Sequence, residues 1–295
     1  MLTRSWLGVE VIRSLRNIMV YAFRPPFAAA LLMAGFFYAL PLHALESPWV
    51  EASHAEARIL ADTADGKRVR AGIEIRLQQG WKTYWRYPGD SGVPPRFDWS
   101  GSENLASAEI KWPAPERLIE DSGSKSIGYR DRVVFPLAIV PADPARPVKL
   151  KLKLDFAVCE KLCVPAEAKL SFDLPPEPIG RSEVLEQAEA RVPRRVSLGE
   201  VGTLAVTKVD IERGPIPRAI IEITAPPAED VQLFAEGPNE KWALPLPEKI
   251  EPRNGKKRFS LDFEGAPPGA GPIPPKLMLT LATGTGAIEV EVPLK

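Results

Sequence analysis

The sequence predicts an all-β protein built from two β-sandwich domains, and three observations support this. The chain has 295 residues, which suits two domains of ordinary size better than one. Its 32 prolines and 21 glycines argue against long helices, while a hydrophobic content of 45% is sufficient for two cores. Short runs of alternating apolar and polar residues recur between the prolines, as in sandwich strands. The formal net charge of +0 gives no indication of a nucleic acid partner.

The first 44 residues read as a signal peptide. Basic residues precede the apolar run Phe27–Leu40, and Pro41–Ala44 then supplies small residues suited to cleavage after Ala44. The apolar run has about 14 residues, which is short for a bilayer span of roughly 20. We therefore expect an exported protein, with an uncleaved membrane anchor as the alternative.

Residues 45–178 form the first predicted domain. Ile119–Arg132 reads as a polar loop, and Trp81–Tyr87 begins as a strand that Pro88 interrupts. The aromatic residues of Trp81–Tyr87 either seal one end of the sandwich or contact a partner, and the sequence leaves both interpretations open. Apolar alternation or a buried apolar run predicts strands at Lys67–Leu77, Ala108–Trp112, Val133–Val140 and Val148–Val158.

Residues 179–199 form the predicted linker, and residues 200–295 the second domain. The linker contains a helix, Ser182–Arg191, with Ser182 as its N-cap and acidic residues in its first turn. The second domain has neither cysteine nor histidine, so we expect a structural or docking role for it. Its predicted strands are Thr203–Ile211, Arg218–Thr224, Val231–Ala235, Lys257–Glu264, Lys276–Thr283 and Ala287–Leu294.

The two cysteines of the chain, Cys159 and Cys163, lie just after the most regular alternating strand. Positions i and i+4 on a straight strand are roughly 13 Å apart, too far for a disulfide. A chain that folds back at residues 160–162, or a single helical turn, would bring the two Cα atoms to about 5.5 Å. If the strand alternation continues, Cys159 faces the lysine side and is accessible to another protein.

A cysteine pair of this spacing has three possible roles: a structural disulfide, a redox-active disulfide or a Cu(I) site. Export favours disulfide formation. A closed loop of about five residues would contribute only around 2 kcal/mol to stability, which is modest for a purely structural bridge. Lys161 would favour a thiolate at the pair and Glu160 would oppose it. With His43 and His54 as the only histidines, the chain lacks the cysteine and histidine ligands of a four-coordinate zinc site.

Several motifs resemble the N-terminal periplasmic domain of the thiol:disulfide interchange protein DsbD and its relatives, which include the copper-tolerance protein ScsB. The matching motifs are W-K-T-Y-W-R-Y-P-G-D-S-G-V-P-P (81–95), W-P-A-P-E-R (112–117), K-S-I-G-Y-R-D-R-V-V-F-P-L (125–137) and V-C-E-K-L-C-V-P (158–165). The resemblance implies an immunoglobulin-like fold, a periplasmic location and a redox pair, with Cys163 forming mixed disulfides and Cys159 resolving them.

The resemblance also implies a site environment and partners. A cap loop is expected at Glu120–Tyr129, although Ser122–Ser124 stands where better-known members carry aromatic residues. No cofactor is implied. The implied partners are thioredoxin-like periplasmic proteins, among them disulfide isomerases and cytochrome c maturation proteins, and a membrane-embedded thiol reductase. The sequence has neither a multi-span region nor a C-x-x-C motif, so we expect separate proteins to supply both. Residues expected near the pair are Tyr84, Trp85, Glu120, Asp121, Tyr129 and Pro165.

Overall fold

The computed structural model describes residues 46–64, 68–119, 123–176 and 180–294, so the predicted signal peptide lies outside the described residues. The first sandwich contains β1 (Val50–Ala52), β2 (Ala55–Ala64), β3 (Arg68–Leu77), β4 (Lys82–Gly89), β5 (Arg96–Asp98), β6 (Leu105–Ile110), β7 (Glu116–Ile119), β8 (Lys125–Arg130), β9 (Arg132–Pro141), β10 (Val148–Cys159) and β11 (Cys163–Leu174). There follow α1 (Glu183–Ala190), β12 (Arg194–Val196), β13 (Ala205–Glu212), β14 (Arg218–Thr224), β15 (Gln232–Glu236), β16 (Glu248–Arg253), β17 (Lys256–Asp262), β18 (Lys276–Ala282) and β19 (Ala287–Pro293).

The first sandwich packs a five-stranded sheet, β1-β2-β3-β9-β6, against a six-stranded sheet, β11-β10-β4-β8-β7, with β5 beside β10. Along β10 the apolar residues are buried, while Lys151 and Lys153 are exposed. This alternation places one face of β10 in the core between the sheets, which contains Ile73 and Phe135 from one sheet and Leu152 from the other. The predicted all-β, immunoglobulin-like fold is confirmed.

Strand β8 corrects the prediction of a polar loop at Ile119–Arg132. Residues Lys125–Arg130 pair with both β4 and β7, and Ser126, Ile127 and Tyr129 are buried. A Cβ atom at Gly128 would lie 2.0 Å from the carbonyl oxygen of Thr83, so glycine allows β8 to approach β4 closely. Because serine and glycine occupy buried positions in this strand, the sequence lacks the apolar alternation that predicts one.

The second sandwich packs the sheet β12-β19-β18-β15 against the sheet β13-β14-β17-β16. Its core includes Ile221 and Phe259 from one sheet and Leu279 and Val290 from the other. Strand β12 lies within the stretch predicted as linker and pairs with β19 in parallel. Strand β16 escaped prediction because nearly all of its residues are exposed and one is a proline.

Helix α1 is docked on the first sandwich. Its N-cap is Ser182, whose side chain accepts a hydrogen bond from the backbone N–H of Leu185, as predicted. Leu185 packs with Leu60 and Val134 on the outer face of the five-stranded sheet. A Cβ atom at Gly72 would lie 2.4 Å from Leu185 Cδ2, so glycine leaves the space that this leucine fills.

The two sandwiches form one compact unit. Phe234, Leu246 and Ala282 of the second sandwich belong to the same buried cluster as the core of the first. The rings of Trp85 and Phe234 meet across this contact, with centroids 5.9 Å apart. The predicted aromatic segment therefore supplies part of the contact between the two sandwiches.

Candidate functional site

Strands β10 and β11 form a hairpin whose closed end carries both cysteines. Their pairing runs without a register shift from Val148 opposite Leu174 to Cys159 opposite Cys163. The two cysteines form a disulfide, with their Cα atoms 4.2 Å apart. The predicted fold-back at residues 160–162 is confirmed, and it is a strand turn rather than a helical turn.

The two sulfur-bearing residues differ in exposure. Cys163 is exposed, whereas Cys159 is only 2% exposed. The expectation that Cys159 would be accessible to another protein is therefore wrong. Cys159 does lie outside the main core, in a small cluster with Ala157 and Tyr84, as the strand alternation predicts. Tyr84 covers that side of the strand, and this cover separates the two sulfurs into an outer and an inner one.

Tyr84 contacts both sulfurs through its phenol group. Its hydroxyl oxygen lies 2.9 Å from Sγ of Cys159 and 3.2 Å from Sγ of Cys163. Gly92 lies against its ring: with φ at +128°, a Cβ atom at this position would come within 2.4 Å of two ring carbons. Tyr84 thus packs between the loop at Gly92 and the hairpin, and it holds a hydrogen-bond donor beside the disulfide.

Lys82 is a further residue at the site that the sequence analysis missed. It lies opposite Cys159 in the pairing of β4 with β10, and it is 4% exposed. Cross-strand partners share a face of the sheet, so its side chain lies on the same side as that of Cys159. A lysine beside a cysteine favours the thiolate form. Lys161, the lysine that the sequence suggests beside the pair, is exposed in the turn. The signal for Lys82 was its position two residues before Tyr84 on one strand.

The remaining predicted site residues lie in different places. Trp85 is buried in the main core against Phe234. Tyr129 is also buried there, where its hydroxyl donates to the carbonyl oxygen of Pro113 at 2.9 Å, and burial raises its pKa well above the usual value. Pro165 is exposed on β11 opposite Ala157.

Part of the predicted cap loop and two of the predicted site residues, Glu120 and Asp121, lie outside the described residues. The described end of that segment, from Lys125 onward, is strand β8. Of the residues expected near the pair, the structure therefore brings Tyr84 to the sulfurs and places Trp85 and Tyr129 in the interior of the sandwich.

Two further properties concern the described part of the chain. Across residues 46–64, 68–119, 123–176 and 180–294, no three residues among histidine, cysteine, aspartate and glutamate are grouped as metal ligands. In the same ranges, no helix has the length and apolar character needed to cross a bilayer.

Fold and site together define an immunoglobulin-like β-sandwich with a hairpin disulfide between an exposed and a buried cysteine. Residues 50–175 match the family model described as "Thiol:disulfide interchange protein DsbD, N-terminal". This part of the chain is therefore a DsbD-like N-terminal domain, and the sequence resemblance to that family is confirmed.

A solved structure extends the similarity of fold beyond the first sandwich. The N-terminal periplasmic domain of ScsB from Proteus mirabilis superposes with a TM-score of 0.63 at 21% sequence identity, covering 85% of this chain and 98% of that one. None of the curated protein sequences matches the chain significantly. The match to the family model supports a domain related to thiol–disulfide interchange.

Proposed function

We propose that this protein is a periplasmic thiol–disulfide interchange protein. It passes electrons through Cys159 and Cys163 between a membrane-embedded thiol reductase and thioredoxin-like periplasmic partners. The observation that carries the proposal is the hairpin disulfide between an exposed residue, Cys163, and a buried one, Cys159. An exchange protein needs one sulfur that a partner reaches and a second sulfur close enough to resolve the mixed disulfide.

Electrons enter when a partner thiolate attacks Sγ of Cys163. The bond between the two cysteines breaks, a mixed disulfide forms at Cys163, and Cys159 leaves as a thiolate. The second thiolate of the partner then attacks the partner's own sulfur and releases Cys163 as a thiolate. Two electrons have moved: the partner now holds a disulfide, and Cys159 and Cys163 are reduced.

Electrons leave by the reverse chemistry. The Cys163 thiolate attacks the disulfide of an oxidised partner, and one partner sulfur departs as a thiolate. The Cys159 thiolate then attacks Sγ of Cys163, which restores the hairpin disulfide and releases the partner as a dithiol. Each step exchanges one sulfur–sulfur bond for another, so sulfur alone carries the electrons and the reaction needs no bound cofactor.

Tyr84 and Lys82 favour the step in which Cys159 leaves. A leaving thiol departs faster when its thiolate is stabilised. The Tyr84 hydroxyl is already placed at 2.9 Å from Sγ of Cys159, and a hydrogen bond to a thiolate is stronger than one to a neutral sulfur. Lys82 lies opposite Cys159 on the same side of the sheet, and a lysine beside a cysteine favours its thiolate form.

The test is a trapping experiment with single-cysteine variants of the mature protein. The probe is a thioredoxin-like protein whose one active-site cysteine is activated with 5-thio-2-nitrobenzoate. With Cys159→Ala, we expect Cys163 to release the coloured thiol and form a stable mixed disulfide, visible on a non-reducing gel. The matched variant, Cys163→Ala, leaves only the covered cysteine and should react at least about tenfold more slowly, as a buried thiol does. Equal rates, or no mixed disulfide with any of several such probes, would refute the proposal.

A measured reduction potential separates this function from a binding module braced by a structural disulfide. Structural disulfides of secreted proteins have potentials below about −300 mV, whereas exchange-active ones are higher. We expect the Cys159–Cys163 pair to lie above that limit in a glutathione or dithiothreitol redox titration.

A further inference from the structure

We propose that the second sandwich holds the disulfide cover in place, and that Arg86 is the positioning residue through which it acts. The inference rests on the proposed function, because it assigns a role in controlling access to the exchange pair. It concerns three consecutive residues of β4 that follow Tyr84 directly in the chain. Each of the three is attached to the second sandwich.

Trp85 and Tyr87 provide two of these attachments. The ring of Trp85 packs against Phe234 of β15, with 5.9 Å between ring centroids. The hydroxyl of Tyr87 donates a hydrogen bond of 2.5 Å to the carbonyl oxygen of Leu244. Trp85 and Tyr87 are the fourth and sixth of the eight residues of β4, so the two contacts hold the part of the strand that follows Tyr84.

Arg86 provides the third and most specific attachment. Its guanidinium binds Glu236 in a bidentate manner, with N–O distances of 2.9 and 2.6 Å, and contacts Glu289 at 2.5 Å. Burial alone would lower the pKa of Arg86, but the hydrogen bonds and charges of Glu236 and Glu289 outweigh it and raise that pKa. The planar guanidinium thus bridges two carboxylates from different strands of the second sandwich, β15 and β19.

These attachments occur where the sheet pairing of β4 is interrupted. Strand β4 pairs with β10 at Lys82 and Thr83, and with β8 from Lys82 to Tyr84. Pairing with β8 resumes only at Gly89, after a register shift. Between these two points the segment lacks pairing with β8 and is held by contacts to the second sandwich together with the burial of Trp85 in the core. Tyr84 lies at the boundary of this segment.

The consequence follows from strand geometry. Arg86 is two residues from Tyr84, which is one repeat of a β-strand. A displacement of Arg86 therefore also moves the backbone that carries the Tyr84 ring. The ring is the cover of Cys159, and its hydroxyl contacts both sulfurs. Contacts of the second sandwich are thereby linked to the exposure of the inner sulfur.

The test measures iodoacetamide alkylation of the reduced protein by mass spectrometry, with Cys163 as an internal reference in the same molecule. The alkylation rates are compared at a pH above which neither rate increases further. At that pH both cysteines are thiolates, so the rates report accessibility and not the thiolate fraction. We expect Arg86→Gln to raise the ratio of Cys159 to Cys163 alkylation by about fivefold, the lower end of ordinary coupling between sites. Arg86→Lys, which retains the charge, should recover part of the effect.

Two comparisons make the test specific to positioning. In a Tyr84→Ala background the cover is already absent, so Arg86→Gln should leave the ratio unchanged there. Arg117 of β7 is a matched control, since its side chain donates to the carbonyl oxygen of Pro247 in the second sandwich at 2.6 Å without involving β4. Arg117→Gln should also leave the ratio unchanged.

Tyr87→Phe is a second test variant in case Arg86→Gln fails to fold. It removes one hydrogen bond and leaves no buried charge without a partner. Tyr87→Phe should raise the ratio of Cys159 to Cys163 alkylation by a smaller factor than Arg86→Gln does. An unchanged ratio in folded Arg86→Gln and Tyr87→Phe, or an equal rise in Arg117→Gln, would overturn the inference. Since no partner protein takes part, this result is independent of the mixed-disulfide trapping that tests the proposed function.

Discussion

The hydroxyl oxygen of Tyr84 lies 2.9 Å from Sγ of Cys159, although the two residues are 75 positions apart in the sequence. The contact exists because β4 pairs with the end of β10, where Thr83 also donates a hydrogen bond to the carbonyl oxygen of Ala157 at 2.9 Å. The Tyr84 ring packs on Cys159 while Cys163 is exposed, so the two cysteines differ in accessibility. The first three predictions test the role of Tyr84 at the cysteine pair.

In the reduced wild-type protein, Cys163 should be alkylated faster than Cys159. Cys163 is exposed at the turn, whereas Cys159 is 2% exposed beneath Tyr84. We expect a difference of about tenfold or more, measured as the time course of iodoacetamide labelling by peptide mass spectrometry. In Tyr84→Ala the two rates should converge. Equal rates in the wild-type protein would contradict the asymmetry.

Tyr84→Phe should raise the thiol pKa of the reduced pair. The phenylalanine ring keeps the cover but removes the donor, and a hydrogen bond to a charged group contributes about 1.5 kcal/mol or more. Since about 1.4 kcal/mol corresponds to one pKa unit, we expect a rise of about one unit. The measurement is thiolate absorbance at 240 nm against pH.

Tyr129→Phe is the matched control for this substitution, because the Tyr129 hydroxyl donates to Pro113 instead of a sulfur. Its thiol titration should coincide with that of the wild-type protein. A Tyr84→Phe titration that also coincides would show that the hydroxyl does not stabilise either thiolate.

Gly92→Ala should displace the Tyr84 ring from its position over Cys159. The added methyl group would meet the Tyr84 ring at 2.4 Å, and the φ of +128° is unfavourable for any residue with a Cβ atom. We expect a loss of about 1–3 kcal/mol in the free energy of unfolding, together with faster alkylation of Cys159. Urea unfolding and the labelling assay measure the two effects.

Gly123→Ala separates backbone strain from the clash. Gly123 also has a positive φ, +82°, but a Cβ atom there meets no atom of the described residues within 4 Å. It should lower stability through strain alone and leave the alkylation of Cys159 unchanged. If both variants accelerate the labelling equally, the Gly92–Tyr84 contact is not the cause.

The hairpin and its disulfide could be predicted from the sequence because their information is local. The alternation of β10 continues to Cys159, and the returning alternation of β11 requires a turn between the cysteines. The side of the strand on which Cys159 lies also followed from alternation. Its burial did not, because the covering ring comes from β4, and residue spacing carries no information about which distant strand becomes the neighbour.

The same limit applies to the less obvious strands. Lys125–Arg130 has serine and glycine at buried positions, and Glu248–Arg253 is an edge strand with mostly exposed residues. Neither has the apolar alternation on which strand prediction depends. Lys82 was missed for a related reason, since a lysine in a strand normally indicates an exposed position.

Reduction of the disulfide should lower stability only modestly and leave the fold intact. The bridge closes a loop of about five residues, for which the chain-entropy estimate is around 2 kcal/mol. The test compares urea unfolding with and without a phosphine reductant, followed by tryptophan fluorescence. The double variant Cys159→Ala/Cys163→Ala should not respond to the reductant. Complete unfolding of the wild-type protein on reduction would identify the bridge as structural.

The Tyr87 hydroxyl should make stability fall at alkaline pH. Burial, and secondarily the charge of Asp90, raises the pKa of Tyr87 to about 12 in the folded protein. In the unfolded chain a tyrosine titrates near 10. The folded state therefore retains a proton that the unfolded state releases, so the contribution of Tyr87 to stability is constant below about pH 10 and is lost as the pH rises from there towards 12.

Tyr87→Phe should reduce this alkaline loss, because phenylalanine has no proton to release. The pKa of Tyr129 is also raised, but Tyr129 is present in both proteins, so the difference between their urea midpoints isolates Tyr87. The midpoints are measured on the oxidised proteins from pH 8 to 11. Curves that remain parallel over this range would show that the contact with Leu244 does not hold Tyr87 in its protonated form.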